Sequence, residues 1–138
     1  RIRRARDVVD YYEAEMREKK KEMFHIVLLD IRYQIIRDVL ISMGSLTETT
    51  VHPREIIKEI VRESAAAVIF LHNHPSGNSQ PSQQDIELTD RLCQTCTLMG
   101  VKVLDHIIIG EGNFYSFAQM GQLRENNIRG VVHEKNRN

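Results

Sequence analysis

Residues 65–71 (AAAVIFL) form the longest uninterrupted apolar run of the chain, and they lead directly into His72-Asn73-His74-Pro75-Ser76-Gly77. A bilayer-spanning helix needs roughly 20 apolar residues, so this run is far too short to cross a membrane. A short, continuous apolar segment with branched and aromatic side chains predicts a central strand covered on both faces, and therefore a sheet with layers on each side of it. The chain has 138 residues, which supply one such domain and not two, and its 41% hydrophobic content is enough for a packed core.

The flanking segments supply the layers. Residues 1–21 predict an N-terminal helix, with Val8, Val9, Tyr12 and Met16 on one stripe. Arg1, Arg3, Arg4 and Arg6 precede that stripe and Lys19, Lys20 and Lys21 follow it. The acids Asp7, Asp10, Glu13, Glu15 and Glu18 are interleaved among them, as on a solvated helix face. Residues 24–31 and 35–42 predict two strands joined as a hairpin. Residues 43–51 read as a loop hinged at Gly44. His52-Pro53 then opens a helix, with Glu55 near its positive end and Ile56, Ile57, Ile60 and Val61 as its apolar face.

Residues 72–81 (HNHPSGNSQP) have loop composition, Ser82 starts a helix running to about Met99, and Gly100 ends it. Residues 101–109 and 114–118 predict two further strands about a turn at Glu111-Gly112-Asn113. The expected organisation is an N-terminal helix over 1–21, an α/β domain over 22–123 and a polar tail over 124–138. The expected fold class is α/β, with a mixed sheet between helices.

Charge and cysteine content narrow the function classes. Lys+Arg and Asp+Glu both number 19, so the formal net charge is zero and the surface as a whole is no polyanion trap. The two cysteines, Cys93 and Cys96, are too few for a disulfide scaffold and fall within one helix. They are expected to be buried thiols, in keeping with a reducing cytoplasm. No signal-peptide pattern opens the chain, and no Met does, so it is expected to be part of a longer protein.

The chemistry concentrates in residues 72–85. Side chains two apart on an extended backbone point the same way, so His72 and His74 are presented together at the end of a buried strand. Pro75 favours an extended conformation at His74. Asp85 falls in the first turn of the next helix, where the turn-rich loop can fold its carboxylate back onto both imidazoles. Two His and one Asp leave a fourth tetrahedral position for water, the pattern of a catalytic zinc, although other first-row metals suit the same donors. Ser82-x-x-Asp85 is also a capping signature. Asn73 and Ser76 read as turn-forming residues. Asp105 and His106 read as a hydrogen-bonded structural pair, of which one member could orient a ligand. His52 reads as a helix-start residue, and His25 and His133 have no visible partner in the sequence.

The spacing H-x-H, seven residues, Ser, two residues, Asp resembles the JAMM motif of JAB/MPN-plus metalloprotease-like domains. HNHPSG with PS-x-x-D, VLDHIIIG, the later SF and the upstream VHPREI resemble the RadC family, over roughly residues 7–123. The resemblance implies a three-layer, cytidine deaminase-like fold and one zinc per chain on His72, His74 and Asp85. It implies a general base at Glu22, in Glu22-Met23-Phe24, and a peptide or protein substrate. It also implies further N-terminal sequence with a helix-hairpin-helix-like region. Ser82 is the expected oxyanion donor. The leading expectation is a zinc-dependent hydrolase of peptide or isopeptide bonds. The alternatives are a DNA-associated repair or recombination module, the family's traditional label, and a metal-dependent hydrolase of a non-peptide bond. The sequence leaves the oligomeric state and the substrate open.

Overall fold

The computed structural model describes residues 1–44 and 51–123. Helix α1 (Ala5–Arg17) is followed by strands β1 (Met23–Leu29) and β2 (Ile35–Met43), helix α2 (Pro53–Glu63), strand β3 (Ala67–Asn73), helix α3 (Gln83–Leu98), and strands β4 (Lys102–Ile109) and β5 (Phe114–Ser116). The five strands form one mixed sheet in the order β2-β1-β3-β4-β5. β1 pairs antiparallel with β2 and β3, β3 pairs parallel with β4, and β5 returns antiparallel to β4. β3 is central and buried along its whole length, as its composition predicts.

Strand alternation separates two cores. Phe24, Ile26 and Leu28 of β1 and Val68 and Phe70 of β3 face Ile56 and Ile60 of α2 and Leu88, Leu92, Cys93 and Cys96 of α3. The intervening residues, Val27, Leu29, Ala67, Ile69 and Leu71, face Val8, Val9, Tyr12 and Met16 of α1. One helix covers one face and two cover the other, giving three layers. The same period of two continues past the apolar run. His72 therefore turns toward α3, Asn73 toward the α1 side and His74 back toward α3.

β4 does not keep that period throughout. Its register slips between Val103, opposite Val68, and Asp105, opposite Ile69, so Leu104 is an extra residue. Such a bulge re-aims every side chain beyond it. Val103 packs in the α2/α3 core, yet Ile107 and Ile109 pack in the α1 core. His106 consequently returns to the α3 side, in register with Phe70.

Several boundaries and faces differ from the sequence expectations. β1 stops at Leu29 because Asp30 closes the turn, its Oδ1 accepting from the amides of Arg32 (2.8 Å) and Gln34 (3.0 Å). β3 runs through His72 and Asn73, which are strand and not loop. α2 turns Ile56, Glu59 and Ile60 inward and leaves Val61 exposed, since Val61 lies at the margin of the stripe. The buried Glu59 Oε1 sits 3.6 Å from Arg62. His52 is the N-cap residue of α2, as expected. Cys93 and Cys96 are reduced and buried, and burial pushes the Cys96 thiol up to about 12, which makes it a packing residue and not a reactive one. Among the described residues no helix is long and apolar enough to cross a membrane. The polar tail and His133 lie outside the described residues.

Candidate metal centre

The site forms where β3 ends and α3 begins. His72, His74 and Asp85 each offer one ligand atom, and these atoms lie within 4.8 Å of one another. His74 Nε2 is 3.1 Å from His72 Nε2 and 3.0 Å from Asp85 Oδ2, and His72 Nε2 is 3.4 Å from Asp85 Oδ1. His72 is completely buried and Asp85 is 3% exposed.

Local structure fixes each ligand. Ser82 is the N-cap of α3, its Oγ accepting from the Asp85 amide at 3.1 Å. The Ser82 amide donates to Asp85 Oδ2 at 2.8 Å, so the capping box also orients the carboxylate. His74 Nδ1 lies 2.8 Å from the carbonyl oxygen of Asn78. A carbonyl can only accept, so Nδ1 carries a proton and Nε2 is the atom that faces the site, as a lone pair toward a metal ion or, in the metal-free chain, as a donor to Asp85 when protonated. The loop supplying that carbonyl is buttressed by the β4–β5 turn. Glu111 and Asn113 both donate to the Gly77 carbonyl oxygen, at 2.9 and 3.2 Å. At Gly110 a Cβ would meet that oxygen at 2.4 Å, so only glycine permits the approach.

The electrostatics follow from the geometry. Burial raises the Asp85 carboxyl, but the hydrogen bonds from His72 and His74 outweigh it and hold the group well below the usual carboxylate range. The same hydrogen bond to Asp85 raises His74 above its ordinary value, against the opposing effect of burial. Two imidazole nitrogens and a carboxylate at these distances repel unless a proton or a metal cation lies among them. The donor set therefore fits a metal ion, and these three residues are positioned to hold one.

Glu22 stands at the edge of this cluster, with Oε1 4.0 Å from His74 Nε2. It sits on the connection from α1 to β1, whose backbone is tied down on both sides. Gly44 donates to the Glu22 carbonyl at 2.8 Å. Asn73 accepts from the Met23 amide through Oδ1 at 2.7 Å and donates through Nδ2 to the carbonyls of Lys21 (3.1 Å) and Lys19 (3.4 Å). Asn73 is thus no turn residue, as its composition suggested. It is 1% exposed and clamps the segment that carries Glu22. Ser76 does shape the loop, accepting from the Asn78 amide at 3.3 Å.

Asp105 and His106 are hydrogen-bonded as expected, but through the His106 amide and not its ring. Asp105 bonds the His106 amide (2.7 Å), the Ala118 amide (2.9 Å) and the Ser116 hydroxyl, pinning the end of β5. The His106 ring instead places Nε2 2.7 Å from His72 Nδ1 and Nδ1 2.5 Å from Thr89 Oγ1. Burial, with His72 nearby, keeps His106 well below the usual histidine value. Thr89 was not singled out from the sequence, although it stands four residues after Asp85 and so shares its helix face.

A family model described as a RadC-like JAB domain matches residues 2–122. The chain belongs to the RadC family. Its mixed sheet between helices is in keeping with a JAB/MPN fold. Proteins named only as UPF0758 are similar to it: 52% identity over 116 residues with one from Trichlorobacter lovleyi, 51% over 118 residues with one from Pelobacter propionicus, and 45% over 119 residues with one from Methanosarcina barkeri. These matches cover 84%, 86% and 86% of this chain and 50%, 52% and 52% of those proteins. The RadC domain here thus spans about half the length of the curated relatives it matches.

Proposed function

We propose that this RadC domain is a zinc-dependent hydrolase acting on an amide, of the peptide or isopeptide kind. The observation that carries the reading is the convergence of His72, His74 and Asp85 with an additional carboxylate, Glu22, at the edge of their cluster. The three ligands would hold one zinc ion, which supplies Lewis acidity and an acidified water when bound.

The remaining roles belong to the chain. Glu22 Oε1 takes a proton at the mouth of the site and delivers it to the leaving amine. The Ser82 hydroxyl accepts from the Asp85 amide, so its own proton is free to donate to a developing oxyanion. Asp85 is kept ionised by its imidazole contacts and remains a ligand through neutral pH.

The test pairs metal analysis with turnover of an isopeptide-linked reporter. The expected result is about one zinc per chain and hydrolysis that disappears on chelation. Protein saturated with zinc yet inert toward amide reporters would overturn the hydrolase reading and leave a metal-binding domain.

A second reading, association with DNA, draws on a separate feature. Arg1, Arg3, Arg4 and Lys102 line a cavity of about 500 Å³ between the N-terminal segment and the sheet, to which none of the three ligands contributes. Cations gathered in one concavity suit phosphate. The zero net charge weighs against it, and a salt-titrated binding assay with duplex and single-stranded DNA decides. The outcome in favour is binding that weakens steeply with salt and is lost when the three arginines are replaced.

A further inference from the structure

We propose that His106 and Thr89 are positioning residues of the metal centre: their hydrogen bonds impose one proton order that fixes the tautomer of His72 and keeps its Nε2 lone pair directed at the ligand cluster. The inference rests on the reading of His72, His74 and Asp85 as a metal site and adds to it two residues that supply no ligand atom.

The argument starts from the Thr89 hydroxyl, which has one proton. Thr89 Oγ1 lies 2.7 Å from the main-chain carbonyl oxygen of Asp85, a group that can only accept. The hydroxyl proton is therefore spent on that carbonyl. Toward His106 Nδ1, 2.5 Å away, Thr89 is left as an acceptor, so His106 Nδ1 must carry a proton. His106 is fully buried, and its ring is surrounded by those of Phe117, Phe24 and Phe70, with centroids 4.7, 5.8 and 6.2 Å away. The Asp105 side chain does not face it, because consecutive strand residues point to opposite sides of the sheet and the Asp105 oxygens are engaged elsewhere. With no carboxylate of the described residues on its ring and the side chain wholly buried, the imidazole is neutral, and its Nε2 is an acceptor.

His72 Nδ1, 2.7 Å from that acceptor, must then be the donor. A neutral His72 protonated on Nδ1 has an unprotonated Nε2, the atom facing His74 Nε2 and Asp85 Oδ1. The reverse order would protonate His72 Nε2 and remove it from any ligand set. It would also set two lone pairs against each other between Thr89 and the Asp85 carbonyl. Asp85 thus stands at both ends of the chain of bonds, its carboxylate among the ligands and its carbonyl as the final acceptor. A threonine proton 2.7 Å from a helix carbonyl decides whether a histidine two residues removed along that chain can bind metal.

Two measurements test this on the full chain. The first needs no metal: long-range ¹⁵N–¹H correlation of the imidazoles at neutral pH. The expected result is His106 neutral with its proton on Nδ1, and His72 with a proton on Nδ1. A His106 proton on Nε2 overturns the proposal. The second is zinc affinity by competition with a chromophoric chelator. Thr89→Val is expected to weaken zinc roughly ten- to a hundred-fold, the usual effect of losing a group that orients a ligand, while Thr89→Ser is expected to stay within about three-fold of the parent. Equal affinity for Thr89→Val and the parent overturns the proposal, and the imidazole spectra decide it if that variant does not fold. Failure of the parent itself to take up zinc overturns the metal reading and the ligand-orienting role with it, leaving the spectra to judge the proton order alone.

Discussion

The two halves of the site are held by different means. His72, His74 and Asp85 sit on a central strand and in the first turn of a helix, where strand alternation and a capping box set their directions. Glu22 sits on a connection between elements and is held there by contacts from distant segments, Asn73 and Gly44. His72 and Asp85 are buried and the His74 side chain is 12% exposed, whereas the Glu22 side chain is 27% exposed. The difference separates two tasks. A metal ligand set tolerates little motion and is built on rigid elements, while a proton carrier has to reach between partners. The comparison implies that damage to one half leaves the other intact.

The largest effect is expected in the ligand half. His74→Ala or Asp85→Ala should take zinc content from about one per chain to near zero in metal analysis, and with it any hydrolysis. Glu22→Gln should retain zinc and lower turnover of an amide reporter by about 10²–10⁴, the usual worth of a general acid–base group. If Glu22→Gln instead loses its zinc, the carboxylate belongs with the ligands and the division fails.

Asn73→Ala sharpens the comparison, because Asn73 is flanked by two ligands yet serves the other half. It should cost about 1–3 kcal/mol in denaturant unfolding, since it leaves buried backbone groups unpaired. It should speed hydrogen exchange at the Met23 amide and leave zinc affinity nearly unchanged. A large fall in zinc affinity would show that the clamp supports the ligands as well.

The smallest effect is a pH dependence of the metal-free chain. His74 is raised by its hydrogen bond to Asp85, so its contribution to stability is complete below the ordinary histidine value of 6.5 and is lost as pH rises through the raised folded value. Asp85 is depressed, so its contribution is present above the ordinary value of 3.8 and is lost as pH falls through the depressed folded value. The melting temperature of the metal-free chain should therefore fall by a few degrees at most as pH rises past neutrality, and Asp85→Asn should remove that fall.

What was legible in the sequence divides along the same line. The ligand half is local: the alternation that makes Val68 and Phe70 face α3 also aims His72 and His74, and Ser82 and Asp85 announce their own cap. Glu22 could be found only through the family resemblance, because nothing nearby in sequence brings an acid among lysines to a metal site. Asn73 was misread since its composition suits a turn, while its surroundings, an entire connection folded across the α1 side, are tertiary. His106 was undecided because a one-residue bulge chooses its face, and Leu104 carries no residue-type signal for an insertion. Val61 was misassigned because the second helix admits a carboxylate, Glu59, into its inward stripe.

The parallel pairing of β3 with β4 has a consequence for how the molecule comes together. The three ligands, Ser82, Thr89 and His106 all lie within one strand–helix–strand crossover, residues 67–109, and Glu22 alone comes from outside it. The cation-holding cluster depends on that crossover alone, whereas the position of Glu22 depends on the docking of β1 against β3 as well. On the proposed reading, loosening β1 from β3 would accordingly take Glu22 away from the site and leave the ion's seat in place.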